Sequence, residues 1–115
     1  MIADANEDFC YVTTTGRVSG RPHRIEIWFA AAPDRNTIYL LSGGRDRADW
    51  VRNLRATPAC TVAIASHAYQ GTARMIESTE EDEAARTLVH DKYADGDDLV
   101  EWRAASLPVA IDLDG

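Results

Sequence analysis

The sequence predicts a mainly β, α+β domain: about six strands in a mostly antiparallel barrel, with two or three helices inserted late. Three observations carry this reading. Apolar and polar residues alternate with the two-residue period of a strand over 23–32 and again in "LPVAIDLD". Turn residues rich in Gly and Pro join the early strands by hairpin-like connections. Helical spacing first appears in "RADWVRNLRATP" and returns only after residue 77.

Taken in order, "FCYVTTT" at 9–15 is aromatic and β-branched and reads as a strand. Gly16 to Pro22 is a turn, because Gly permits positive φ and Pro cannot donate to a ladder. Over 23–32, Ile25, Ile27 and Phe29 fall on one side and Arg24, Glu26 and Trp28 on the other. "PDRN" at 33–36 is turn chemistry, and "TIYLLS" at 37–42 is a third strand. After Gly43 and Gly44, Trp50, Val51 and Leu54 share one face of a short helix that Pro58 stops. Residues 60–66 and 69–77 form a hairpin. Ser78 and Glu81 make a capping-box pattern that opens an amphipathic helix carrying Leu88 and Val89. "DDLVEWRAAS" is a further short helix, and the closing strand follows.

At 115 residues the chain is long enough for one core, so 1–115 is read as a single domain. No apolar run approaches the ~20 residues of a membrane span. "MIADANEDF" lacks the basic start and apolar stretch of a secretion signal, so cytoplasmic residence is expected. Cys10 and Cys60 are too few and too far apart for a disulfide framework or a zinc site, and read as reduced thiols within strands. His23, His67 and His90 are dispersed, and no metal site or Ser/His/Asp triad is expected. The acidic residues near position 80 read as a solvated helix face.

The net charge is −7, but it is unevenly spread. Residues 1–57 hold eight basic and seven acidic side chains (+1), and residues 58–115 hold four and twelve (−8). All the basic residues except Lys92 are arginines, whose planar fork suits phosphate and carboxylate. A nucleic-acid binder gains from being basic overall, so a local site for a small anion is the better reading. Two segments offer one. In "TTTGRVSGRPHR", Arg17, Arg21, His23 and Arg24 crowd a glycine-bracketed turn, which reads either as a solvated hairpin or as an anion-binding nest. In "LLSGGRDRADWVRNLRATP", a glycine pair leads into a helix surrounded by Arg45, Arg47, Arg52 and Arg55. Trp28, Tyr93 and Trp102 are aromatic residues of either core or pocket.

Together these segments, the strand "IEIWF", the W-x-x-N-L core, the hairpin "TVAIASHAYQGTARMI", the acidic helix ending at Tyr93 and the closing "LPVAIDL" resemble the deazaflavin-dependent nitroreductase family. The likeness runs from Phe9 to the end. It implies a split β-barrel, FMN-binding-like, that binds coenzyme F-420 and passes hydride to a nitroaromatic, quinone or other conjugated acceptor. Carried onto this chain, it implies that Arg17, Val18, Ser19, Arg21, Pro22, His23 and Arg24 hold the cofactor's phosphate and oligoglutamate tail. Ser42, Gly43, Trp50 and Asn53 would touch the phosphate, the chain or the ring, and Trp28 and Tyr93 would line the acceptor pocket. The cofactor does the chemistry, so no catalytic side chain is expected. Many members carry a basic residue where Val18 stands and an arginine where His23 stands, and the arm before the first strand is short here. FMN in the same barrel, and a non-catalytic protein for a lipid or haem, are the alternatives; a homodimer is left open.

Overall fold

The computed structural model describes residues 2, 5–33, 35–93 and 100–114. Among these residues seven strands form one antiparallel sheet: β1 (Cys10–Thr15), β2 (Pro22–Ile27), β3 (Ala30–Ala31), β4 (Thr37–Ser42), β5 (Ala59–Ile64), β6 (His67–Met75) and β7 (Leu107–Leu113). Among the described residues three helices accompany them: α1 (Asp49–Ala56), α2 (Thr79–Tyr93) and α3 (Val100–Ala105). Among the described residues, no helix is long and apolar enough to cross a membrane.

The spatial order is β2-β1-β5-β6-β7-β4-β3, so β2 and β3 sit at opposite edges although only Trp28 and Phe29 separate them in sequence. A flat sheet of seven strands would set its edges about 29 Å apart, at about 4.8 Å per strand. The link from Ile27 to Ala30 reaches at most about 10 Å. The sheet must therefore roll up, and this short link is what makes it a curled half-barrel. The continuous strand expected over 23–32 is in fact two strands with a crossing between them, which raises the count from about six to seven.

The crossing takes Phe29 out of the ladder and buries it completely. The Phe29 N–H donates to Tyr93 Oη at 3.1 Å, and its carbonyl accepts from Lys92 Nζ at 2.9 Å. The end of α2 thus satisfies backbone groups that no neighbouring strand can reach. Lys92 Nζ also lies 3.7 Å from the centre of the Phe29 ring and donates to the Ala5 carbonyl. Burial holds its pKa below the usual lysine range.

Two apolar layers result. Cys10, Val12, Ile38, Leu40, Val62, Ile64, Val109 and Ile111 fill the barrel interior, and α1 closes one side with Val51 and Leu54. Tyr39, Leu41 and Ala110 face the other way and meet Ala85 and Val89 of α2. Strand β4 is buried along its whole length because both its faces are covered, which explains the uninterrupted "TIYLLS". Both cysteines are free and buried, and burial pushes their thiols up to about 12 and about 11.

The helix around Trp50 begins later than its spacing suggests. Arg45–Arg47 form a single 3-10 turn, Ala48 is extended, and α1 starts at Asp49. At α2, Ser78 Oγ accepts from the Glu81 N–H at 3.0 Å, so half of the capping box is made. The helix expected to open at Asp97 is described from Val100 onward; its start, like Asp34 of the "PDRN" turn, lies outside the described residues.

Candidate functional site

The β1–β2 turn is built by its glycines. The Gly16 N–H donates to the Arg21 carbonyl at 2.8 Å and the Gly20 N–H to the Gly16 carbonyl at 2.9 Å. Gly20 has φ of 73°, which a side chain would strain. A Cβ on Gly16 would stand 2.7 Å from His23 Nε2, so only glycine lets that imidazole lie across the turn. Ser19 Oγ accepts from the Arg21 N–H at 3.2 Å. The Arg17 N–H donates at 3.1 Å to Asn53 Oδ1 on α1. These four amides hold the turn's own shape, so its capacity for an anion rests mainly on side chains.

Asn53 is the anchor between turn and helix. It is buried, and Oδ1 also accepts from Arg17 Nη1 at 2.9 Å while Nδ2 donates to Thr14 Oγ1 at 3.2 Å. Arg17 Nη2 reaches Asp49 Oδ1 at 3.2 Å. The guanidinium is thereby fixed at the mouth of an open cavity of about 490 Å³, a volume typical of small-ligand sites. Arg17, Ser19, His23, Thr14, Asn53 and the Asp49 carboxylate are its polar wall, Ile25 and Trp50 are apolar, and Arg24 borders it from the strand face opposite Ile25. Arg24 also lies 4.4 Å from the centre of the Tyr11 ring, which keeps it extended along β2. A second open cavity of about 690 Å³ shares Arg17 and continues over Arg47, Arg52 and Arg55.

Of the residues expected from sequence, the first cavity brings together Arg17, Val18, Ser19, His23, Arg24, Trp50 and Asn53. Arg21 and Pro22 are exposed beside it and are not part of its lining. Ser42 and Gly43 lie elsewhere: Ser42 is buried and donates to the Arg45 carbonyl at 2.9 Å, and Gly43 faces the Trp102 indole. Arg45 in turn donates to the Ala105 carbonyl. Trp28 stacks on Tyr93 with ring centres 4.3 Å apart, and Trp102 meets Trp28 edge-on at 5.6 Å. Trp28, Tyr93, Trp102 and Gly43 therefore make a second, aromatic cluster. The Tyr93 hydroxyl is engaged, donating to the Asp8 carbonyl at 2.6 Å, and burial pushes its pKa up to about 12.

Sequence reading missed Asp49, Thr14 and the closed charge cluster on α2. Asp49 stands in the first turn of α1. Nothing in a linear pattern says that it faces a turn 32 residues earlier. The acidic face near residue 80 is not wholly solvated, either. The Glu81 side chain is 12 % exposed and takes both Nη atoms of Arg74, at 2.6 and 2.7 Å. Tyr39 Oη donates to it at 2.8 Å, as does Arg35 Nη2. The Arg74 guanidinium holds the Glu81 carboxyl down to about 2. Asp112, held low by the same Arg74, accepts from it at 2.8 Å and from Thr37 Oγ1 at 2.7 Å.

A family model described as F420H(2)-dependent quinone reductase matches residues 5–114. The chain belongs to that family. Coenzyme F-420 is accordingly its cofactor. Among solved structures of the same fold, an F420-H2 dependent reductase superposes with a TM-score of 0.72 at 22 % identity, covering 93 % of this chain and 94 % of that one. The haem storage protein HutZ from Vibrio cholerae gives 0.74 at 13 % identity, over 95 % of this chain and 83 % of the other. A domain-swapped dimer gives 0.73 at 23 % identity, over 93 % and 80 %. The fold is thus shared by an F420-H2 dependent reductase and a haem storage protein, so the likeness to solved structures speaks for the fold alone.

Proposed function

We propose that this F-420-dependent oxidoreductase reduces a quinone, nitroaromatic or similarly conjugated acceptor, with the cofactor's phosphate held in the cavity beside the β1–β2 turn. The observation that carries the reading is Arg17, fixed by a buried Asn53 beside a cavity that also presents Ser19 and His23. The donor set fits the group. Guanidinium and hydroxyl donors suit a phosphate, and Trp50 with Ile25 offers an apolar wall for the uncharged part of the cofactor. When bound, the deazaflavin supplies the hydride. The protein's own residues hold it, keep water from one side and fix its angle to the acceptor.

In this reading the oligoglutamate tail crosses Arg17 into the second cavity, toward Arg47, Arg52 and Arg55. Arg21 is exposed beside the turn and adds long-range attraction. Asn53 acts through Arg17, since both ends of its amide are already bonded. Ser42 and Gly43 stand by Trp102 and not in this cavity, so they act on the cofactor only through that side, and the Trp28–Tyr93 stack is the surface assigned to an acceptor ring. The acceptor is a small molecule, and a homodimer is compatible with the exposed edge strand β2.

The test is a fluorescence titration with coenzyme F-420 and with FMN, at low and raised salt. Tighter binding of F-420, weakened by salt, is expected. Tight FMN binding with no F-420 binding would overturn the reading. Replacing both Arg52 and Arg55 by Ala is expected to weaken F-420 more as the tail lengthens; a loss independent of tail length would remove the second cavity from the proposal.

A further inference from the structure

Two polar side chains of the first cavity converge on one glycine. A Cβ placed on Gly16 would stand 2.7 Å from His23 Nε2 and 3.0 Å from Ser19 Oγ, and Arg17 is the next residue in the chain. All four residues line the cavity. His23 lies two residues before Ile25 on β2, so the two share a strand face, and Ile25 lines the same cavity. The residue is exposed, and among the described residues its ring has no hydrogen-bond partner. The charged groups around it are Arg17 and Arg21 of the turn, Arg24 of β2 and Asp49 of α1, and β1 sets the uncharged Thr14 opposite it.

We propose that His23 binds the ligand's anion as an imidazolium and so couples coenzyme affinity to pH, a role that rests on the assignment of this cavity to the cofactor's phosphate. That phosphate is bridged between chain and tail and carries one charge. Guanidinium, ionised carboxylate and bridged phosphate each keep one charge state between about pH 5.5 and 8. Imidazole is the side chain that gains a proton in this range. The imidazolium adds a charge-assisted donor beside Arg17, whereas the neutral ring donates from one nitrogen only and brings no net charge. An anion that prefers the cation must, by reciprocity, draw a proton onto His23 as it binds. The proton comes from solvent, to which the cavity is open, and no covalent bond changes. Lower pH therefore tightens binding, and exposure keeps the effect modest. Gly16 is what admits the ring: any side chain there would meet it.

The experiment compares wild type with His23→Gln, which is never charged, and His23→Arg, which always is, once their thermal midpoints agree within a few degrees. Coenzyme F-420 binding is measured by calorimetry at about pH 5.5, 6.5 and 8. At the middle pH it is repeated in two buffers of different ionisation heat, which gives the protons taken up. Any ionisation of the cofactor itself is common to the three proteins. Wild type is expected to bind about three- to fivefold tighter than His23→Gln at the low end, with the advantage gone at the high end. It should also take up an additional fraction of a proton, and His23→Arg should exceed His23→Gln by a factor independent of pH. One pH slope and one proton uptake for all three proteins would overturn the proposal. If none of the three binds F-420, sulfate, whose charge is constant over this range, is titrated by chemical-shift changes at the Arg17 and Asn53 amides. A pH-dependent advantage of wild type over His23→Gln then means that the cofactor assignment fails and the role of His23 stands; no such advantage removes both.

Discussion

The molecule contains two arginine–carboxylate clusters built from the same chemistry and put to different uses. At one, Arg74 is gripped by Glu81 through two bonds and by Asp112 through two more, with Tyr39, Thr37 and Arg35 completing the set. At the other, Arg17 is tied to a buried amide on one edge and to an exposed carboxylate on the next. Neutrality is what separates them. Around Arg74 the carboxylates fill the available donors and the group pins α2 to β4, β6 and β7. Around Arg17 positive charge remains, because Arg17, Arg47, Arg52 and Arg55 outnumber Asp46 and Asp49 in the two adjoining cavities. A saturated cluster holds the fold; an unsaturated one is free to hold a ligand.

The largest effect that would break this contrast is at Glu81. Glu81→Gln leaves Arg74 short of its main partner and is expected to lower stability by about 2–3 kcal/mol, read as a Tm roughly 10 °C lower. F-420 affinity per folded molecule should stay the same. The pH dependence has a definite sign. The Glu81 carboxyl sits at about 2 in the fold against an ordinary 4.5, so its contribution is complete above about pH 4.5 and disappears as pH falls toward 2. Urea denaturation across that window should show wild type losing stability faster than Glu81→Gln; parallel curves would contradict the assignment.

Arg17→Ala is the mirror experiment. It is expected to weaken F-420 by roughly ten- to a hundredfold while changing stability by less than about 1 kcal/mol. A variant that unfolds as readily as Glu81→Gln would place Arg17 with the structural cluster instead. Tyr93→Phe keeps the ring stacked on Trp28 and removes only the hydroxyl between Phe29 and Asp8. It should cost about 1–2 kcal/mol in thermal denaturation, with little change in cofactor binding. The smallest effect belongs to Val18, which is 93 % exposed at the tip of the turn. Val18→Arg adds a cation beside the cavity and is expected to tighten F-420 by about two- to threefold at low salt, an advantage that disappears as salt is raised. A gain that survives high salt would mean contact rather than field.

Most of the strands, α1 and the body of α2 were legible in the sequence because each is written in a short window: alternation, a capping serine, glycine at a tight turn. The curled half-barrel was legible as a class. The crossing at Trp28–Phe29 was not, since the alternation of 23–32 runs through it without a break. What interrupts the strand there is the closure of the sheet, together with Lys92 and Tyr93 arriving more than 60 residues later. The site divided along the same line. That positive charge gathers at 17–24 and at 45–55 is plain from composition. That Arg17 belongs with Asn53, that Ser42 and Gly43 sit with Trp102 instead, and that Glu81 is nearly buried are facts about distant pairs.

By itself, then, the sequence determined the elements, the turn and the excess of arginine around it, since periodicity and glycine placement act over a few residues. Only the tertiary structure decided which arginines are neutralised and which remain available. A charge's role depends on what stands within about 4 Å of it and how much water reaches it, and both are set when strands far apart in the chain come together.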